Sequence, residues 1–454
     1  MGTNMDGHTP PQPDDTAADM MQEAVRLERS GAWDAARQRY WSVLQANPGH
    51  YRALMNLADL LRKTGYRSAA RLTWQEAARL YPGLGEPWLA LGHLEREEEA
   101  WQLSRTAYEN AIARNPALWT AHQGLAYVLD ALGEAQGAAH HRDLGFTAQP
   151  HITIPGAGTG TPIRVLLLAS ATGGDTPWLG LLDSGQYQVE IVASEYWPPA
   201  RRLPAHDVIV NAVSDADAAW SAMDAAESLA GVSGRPIVNP PALLRETGRH
   251  TVAERLKRVP GVETARIIRC SKTALGDDGL ETITGAGFQF PVLVRAVGHH
   301  TGRYFERADD VGRLSEAASR MSGEELWIVE WLETPHHGDT PYRKYRVMMI
   351  DGRLYPVHAA WSRDWKVHYF SRTASPASQM LHERFLQDMP GQVGPRAMEA
   401  LEAIQQELHL DYGGIDFDVL PDGTVRVFEA NATMVVPPQP IILSAVSDLI
   451  RSRI

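Results

Sequence analysis

Apolar positions recur with a 34-residue period over the first third of the chain. Units starting at residues 17, 51, 85 and 119 carry Met20, Leu54, Trp88 and His122 at their fourth position. Leu57-Ala58, Leu91-Gly92 and Leu125-Ala126 fill the seventh and eighth positions, where the weaker first unit has Glu23-Ala24. Small residues stand at the twentieth position (Ala36, Ala70, Ser104, Ala138) and large ones at the twenty-fourth (Tyr40, Trp74, Tyr108), with Arg142 the exception. This spacing predicts two amphipathic helices per unit. Gly31, Gly65 and Gly133 mark the turn between them, Glu99 standing there in the third unit, and Pro48, Pro82, Pro116 and Pro150 stop each second helix. After Pro150 the period is lost. Residues 153–162, rich in Gly, Pro and Thr, read as a linker. Three short apolar runs follow, IRVLLLAS, QVEIVAS and DVIVNAV, separated by polar or helical stretches, which predicts a small parallel sheet flanked by helices. Asp215 to Ala230 and Leu243 to Lys257 read as helices, with a short strand between them in RPIVNPP.

The repeats resemble the tetratricopeptide repeat over about residues 17–152, in four units. The resemblance implies an all-α solenoid whose concave groove recruits a peptide, protein or carrier substrate. Groove-facing positions of the first helices would include Arg52, Met55, Asn56, Asp59, His93, Gln123 and Tyr127, a set mixed in charge. The alternative is that the repeats pack on the following domain or on a second copy of the chain, as in a homodimer.

Candidate chemistry lies between Phe290 and Asn431. An apolar strand delivers Arg295 ahead of a glycine turn, Gly298 to Gly302, that contains His299 and His300. A guanidinium can fork across two phosphate oxygens while turn amides cap others; an exposed hairpin with a surface arginine reads equally from these residues. LWIVEWLE (326–333) is a strand ending in Glu330, Trp331 and Leu332, either a base-binding edge or a core strand. In YRKYRVMMIDGRLYPVHAAW, Asp351-Gly352 predicts a hairpin turn, and alternation puts Lys344 and Arg346 on one face with Arg343 on the other. Two cations on one strand face suit an anion or form a solvated basic edge. In LDYGGIDFDVLPDGTVRVFEANATMVV (410–436), two strands joined at Pro421-Asp422-Gly423 bring Asp416 beside Glu429 and Asn431. Two carboxylates and an amide oxygen make the hard donor set that magnesium prefers.

Together these segments resemble the ATP-grasp superfamily, with the spacing of Asp416, Glu429 and Asn431 similar to that in D-alanine:D-alanine ligase and its relatives. The fold class expected is therefore multidomain: a disordered arm (1–16), the all-α solenoid (17–152), the linker (153–162), a small α/β lobe (163–245) and an α+β ATP-grasp domain (246–454). The resemblance implies ATP with its adenine at Glu330, Trp331 and Leu332, its phosphates at Arg249, Arg295, His299, His300 and Gly302, and Mg2+ on Asp416, Glu429 and Asn431. It also implies an ADP-forming ligase that activates a carboxylate as an acylphosphate and joins it to an amine. Arg295 and Arg249 stand where relatives usually have lysine, and Gly414 stands where amino-acid ligases often have an arginine. The role of that arginine would fall to Lys344, Arg346 or Arg363. The segment HAAWSRDWKVHYFS (358–371) would line the acceptor side of the cleft or cap the sheet. Competing readings are a phosphotransferase using the same site and a non-catalytic scaffold with a relic nucleotide site.

Composition narrows the function classes. A formal charge of −12 and a pI near 5.8 lack the basic footprint of a nucleic-acid binder. The apolar runs are far shorter than the roughly 20 residues that span a bilayer, so no membrane segment is expected. The opening MGTNMDGHTPPQPDD lacks the apolar core of a secretory signal, and the single cysteine, Cys270, fits a reducing compartment. A cytoplasmic protein is the expectation. The adjacent histidine pairs at 140, 299 and 336 diverge on a helix or strand, which argues against a transition-metal site.

Overall fold

Each 34-residue repeat folds as a pair of helices because its proline and its small residues fall where a turn and a close crossing are needed. The computed structural model describes residues 17–276, 279–298, 304–333, 342–367, 376–434 and 436–454; the expected arm at 1–16 lies outside them. The chain divides into two compact units, Met1–Gln149 and Pro150–Ile454.

The first unit is an all-helical solenoid of α1 (Ala17–Arg29), α2 (Trp33–Ala46), α3 (Tyr51–Lys63), α4 (Arg67–Leu80), α5 (Glu86–Glu97), α6 (Trp101–Arg114), α7 (Trp119–Ala131) and α8 (Ala135–Ala148). Every second helix ends two residues before its proline. At the turn inside each pair, Gly31, Gly65 and Gly133 have φ of 77°, 87° and 81°, and Glu99 adopts the same left-handed conformation at 55°. The tightest packing is at Tyr108: a Cβ on Gly124 would lie 2.4 Å from its Cζ, and one on Gly92 2.6 Å from its Cδ1. Gly124→Ala should therefore destabilise the repeats by about 1–3 kcal/mol, read as a lower midpoint in thermal circular dichroism.

Ion pairs tie neighbouring first helices together. Lys63 reaches Glu28 at 3.1 Å and Arg62 reaches Glu97 at 2.9 Å, while Asp59 takes both Arg62 and Lys63. Two residues expected in the groove turn inward instead. Gln123 donates to the carbonyls of Gly145 and Gln149, and His93 Nδ1 lies 2.9 Å from the Tyr108 hydroxyl. Burial, with help from the charges of Arg96 and Arg62, pushes His93 down to about 4. The unfolded chain takes up a proton near pH 6.5 that folded His93 refuses. Stability is thus fully present above pH 6.5 and falls as pH drops toward 4. Chemical denaturation of the full chain at pH 7 and pH 5 should show the loss, roughly 2 kcal/mol, and His93→Gln should reduce it.

The described residues of the second unit form three sheets. The first has the order β1-β3-β2-β4-β5, where β2 (Ile163–Ala169), β3 (Tyr187–Ala193), β4 (Val208–Asn211) and β5 (Ile237–Val238) are parallel. β1 (His151–Ile154) pairs antiparallel with β3, and Glu190 accepts from His151 and Thr153 across that pair. This corrects two expected boundaries: the repeats stop before 150, and the stretch read as a linker begins as an edge strand. Helix α9 (Trp220–Ser233) starts later than Asp215, because the Asp215 carboxylate accepts the Asp217 amide in a local turn. The helix expected over Leu243 to Lys257 is two, α10 (Pro241–Arg245) and α11 (Arg249–Leu256). They part at Gly248, where a Cβ would lie 2.9 Å from an Asp217 oxygen.

The second sheet, β7-β10-β8-β9, is antiparallel and comprises β7 (Ile267–Ser271), β8 (Val292–Ala296), β9 (Phe305–Ala308) and β10 (Glu325–Glu330). Helices α12 (Lys272–Gly276), α13 (Gly279–Gly285) and α14 (Val311–Arg320) accompany it. The third sheet, β12-β11-β13-β14-β6, is built from β6 (Val262–Thr264), β11 (Tyr342–Ile350), β12 (Arg353–Ser362), β13 (Tyr412–Val419) and β14 (Val425–Asn431). It is covered by α15 (Pro376–Gln387), α16 (Met389–Val393), α17 (Pro395–Leu408) and α18 (Pro440–Ser452). Both faces of the first sheet are buried: Leu166 and Leu168 join one core that reaches Tyr345 and Phe417, and Val165 and Leu167 join another that reaches Met348 and α18. The lobe expected to end at 245 is for that reason part of one compact unit with the third sheet and its helices.

Candidate functional site

The β13–β14 hairpin turns at Leu420 to Thr424, where Gly423 has φ of 85° and Asp422 accepts the Thr424 amide. In its register Asp416 lies opposite Glu429 and Gly414 opposite Asn431. A strict two-residue alternation would put Val425, Val427, Glu429 and Asn431 on one face. A bulge at Phe428 resolves that conflict: Val425 and Val427 stand opposite Val419 and Phe417, while Glu429 and Asn431 stand opposite Asp416 and Gly414. The three residues expected to hold a metal are thus brought to one side.

Cations from neighbouring elements converge on them. Lys344 Nζ donates to Asp416 at 2.9 Å, and Arg346 holds both Asp416 oxygens at 2.6 and 2.9 Å. Arg343, on the same strand, turns away to Asp418 at 2.7 Å. Asp416 is 3% exposed. Burial alone would raise it, but Lys344 and Arg346 more than offset that and hold its carboxyl below the usual carboxylate range. Arg249, the first residue of α11, donates to Glu429 at 2.7 Å, and Glu429 also accepts from Asn431 at 2.9 Å. Asn431 Oδ1 is buried with no hydrogen-bond partner. An orphaned acceptor beside two carboxylates fits a hard divalent cation. Among the described residues no group of three or more His, Cys, Asp or Glu side chains is placed to hold a metal ion; the donor set here is two carboxylates and an amide.

These groups line a cavity of about 570 Å3 in the second unit. Arg295 of β8 lines it too; burial, then the charge of Arg249, brings its guanidinium down to about 10, still cationic at neutral pH. Glu330, Trp331 and Leu332 are at the wall, with Ile267, Leu293 and Val329 making it apolar. The Glu330 amide and carboxylate are both engaged with Arg266. Trp331 meets Tyr342 and Trp365 edge-on, with the Arg307 guanidinium 4.3 Å from its ring centre. Tyr342 and Trp365 line the same cavity.

Three expectations need correction or limit. Arg363 is exposed on the turn after β12 and does not line the cavity, so it is no candidate for the reacting end. Lys366 takes that wall instead, donating to the Phe305 carbonyl at 3.0 Å. His299, His300 and Gly302 lie outside the described residues. Gly414 is more than a missing arginine: a Cβ there would lie 2.6 Å from Met434 Cγ and 2.8 Å from Met348 Sδ, so the space is filled. Asp215 and Asp217 were missed. Both line the cavity, and Asp217 accepts the Arg249 amide at 3.2 Å, which fixes the start of α11. Their position just past the end of β4, where the order of a parallel sheet reverses, was the available signal.

No family profile matches the chain. A stretch of 126 residues, 27% of the chain, is 30% identical to the general transcriptional corepressor trfA of Dictyostelium discoideum, and the match spans 9% of that protein. Among solved structures, the crystal structure of MamA protein is 24% identical over 30% of this chain and 74% of its own, with a TM-score of 0.28. TTC0263, described as a thermophilic TPR protein of Thermus thermophilus, is 20% identical over 30% of this chain and 75% of its own, with a TM-score of 0.26. The N-terminal helical repeats resemble tetratricopeptide repeats, and a mixed α/β region follows them. Among the described residues no helix is long and apolar enough to cross a membrane.

Proposed function

We propose that the second unit is an ATP-grasp ligase, dependent on ATP and magnesium, that joins a carboxylate to an amine and releases ADP, with the repeats recruiting a peptide or protein substrate. One observation carries the reading. Asp416, Glu429 and the orphaned Asn431 oxygen converge on a cavity wall that also bears Arg249, Arg295, Lys344 and Arg346. Carboxylates and cations are held together in this way where polyphosphate and a hard metal ion share one site.

In this reading Arg249 and Arg295 hold the phosphates, the wall at Glu330 to Leu332 holds the base, and Asp416, Glu429 and Asn431 hold magnesium. Bound there, the ion would supply charge neutralisation for the triphosphate. Arg346 and Lys344, both hydrogen-bonded to Asp416, would steady the charge that develops as a substrate carboxylate oxygen attacks the γ-phosphorus and ADP leaves. An amine nitrogen then attacks the acyl carbon, phosphate departs and the nitrogen loses a proton. With Gly414 covered by Met434, that stabilising role has no route through the preceding strand position.

Isotope transfer tests the chemistry. A carboxylate labelled with heavy oxygen should pass one label to inorganic phosphate. Label retained in the acid beside a stable phosphoester would make the protein a kinase. The repeats favour a scaffold as the remaining reading, and ADP release at the same background rate in wild type and Glu429→Ala would establish it.

A further inference from the structure

The last helix pair of the repeats carries two histidine rings in contact. His122 of α7 takes the fourth position of its unit, which Met20, Leu54 and Trp88 fill in the others, and is 5% exposed. His141 of α8 is half-buried against it, where the other units have Arg39, Thr73 and Ala107. Their Nδ1 atoms are 2.9 Å apart, with ring centres at 5.1 Å. His122 Nε2 lies 3.2 Å from the Pro116 carbonyl, which can only accept. The hydrogen of a neutral His122 is therefore on Nε2, and its Nδ1 presents a lone pair. Burial holds both rings below the usual histidine range, so both are neutral at pH 7. His140 does not share in the pair: its ring stands edge-on to His141 at 5.3 Å. Adjacent histidines diverge on a helix, whereas His122 and His141 meet because they come from two helices packed on each other.

We propose that His122 and His141 form a bidentate site for a divalent transition metal that takes nitrogen ligands at right angles, Cu2+ above all and Ni2+ after it. The inference is independent of the ligase reading. An imidazole that ligates a metal through one nitrogen normally gives its other N–H to a carbonyl or carboxylate, which fixes its tautomer and orientation. Pro116 does this for His122. At metal–nitrogen lengths of about 2.0–2.1 Å, two nitrogens at right angles lie about 2.9 Å apart, and two at the tetrahedral angle about 3.3–3.4 Å. The observed 2.9 Å fits the right-angled pair, which copper and nickel accept and tetrahedral zinc does not. A turn of the half-buried His141 ring aims both lone pairs at one point. Its hydrogen moves from Nδ1 to Nε2 through water, and no proton is released overall. Among the described residues no group of three His, Cys, Asp or Glu side chains is placed to hold a metal, so water fills the remaining positions. Bound there, the ion ties α7 to α8 in the last repeat.

Titration of the untagged full chain with the chlorides of Cu2+, Ni2+ and Zn2+ at pH 7 tests the site. Copper should bind at one ion per chain and raise the thermal midpoint of the helical signal, since it binds the folded pair and not the separated rings. Electron spin-echo modulation of that complex should count two imidazoles. His141→Ala should weaken copper uptake by at least about 100-fold, beyond what loss of an outer partner costs. His140→Ala should leave it intact. The imidazole count is made on the wild type, so it decides even where a variant misfolds. No copper uptake, a single imidazole on the ion, uptake unchanged in His141→Ala or lost in His140→Ala, or zinc bound more tightly than nickel overturns the inference.

Discussion

Glu429→Gln should remove magnesium-dependent nucleotide uptake and lower ADP release by a factor of about 100–1,000 while the chain stays folded. The amide keeps the shape of the side chain and one oxygen for Arg249 and Asn431, which now hold the carboxylate at 2.7 and 2.9 Å. What it lacks is the negative charge that a divalent ion needs from this wall. Asn431→Ala should have the same direction, because it deletes a buried acceptor at the site that has no partner among the described residues. Calorimetry with a nucleotide analogue, with and without magnesium, measures the first effect and coupled ADP detection the second. Wild-type affinity in both variants would refute the metal assignment, whatever the activity.

Asp416→Ala should cost stability as well as binding. The carboxylate is buried and takes hydrogen bonds from Lys344 and Arg346, neither of which is more than 15% exposed at its side chain. Removing it takes a hydrogen-bonded carboxylate away from two desolvated cations, a loss of about 3–5 kcal/mol. The thermal transition of the second unit should fall by on the order of 10 °C. Because the folded carboxyl lies below its ordinary range, its contribution is present at neutral pH and is lost as pH falls below the unfolded value near 4. Asp416→Ala should accordingly abolish part of the acid sensitivity of the second unit. A double variant that also neutralises Arg346 should recover part of the stability, since one of the two desolvated cations is then gone.

Much of this architecture was legible in the residues. The 34-residue period is a mechanical necessity of stacked helix pairs, and it marked every helix-pair boundary, including the turn where Glu99 takes a glycine's conformation. Residues 151–154 escaped because a four-residue edge strand carries too little periodicity to stand out from a polar stretch. The polar trio on β13 and β14 was readable because Glu and Asn in an apolar strand need partners. The bulge that separates them from Val425 and Val427 was not, since it depends on the ladder with β13. Asp215 and Asp217 were hidden in an alanine-rich run whose first five residues form a turn instead of helix. Arg363 looked like a site residue for its company in sequence, and the hairpin carries it to the surface. Gly414 was read as an absence, and only packing shows that Met434 occupies the place.

The ion pairs along the repeats bear on how quickly anything can find that surface. Lys63 with Glu28, Arg62 with Glu97, and Asp59 with both cations leave these five residues with only one negative charge in excess. A ligand approaching these ion pairs would meet little long-range attraction. Its encounter rate should stay near the unsteered 10⁵–10⁶ M⁻¹s⁻¹, about the same in low and high salt, so selectivity there would be exercised by residence time.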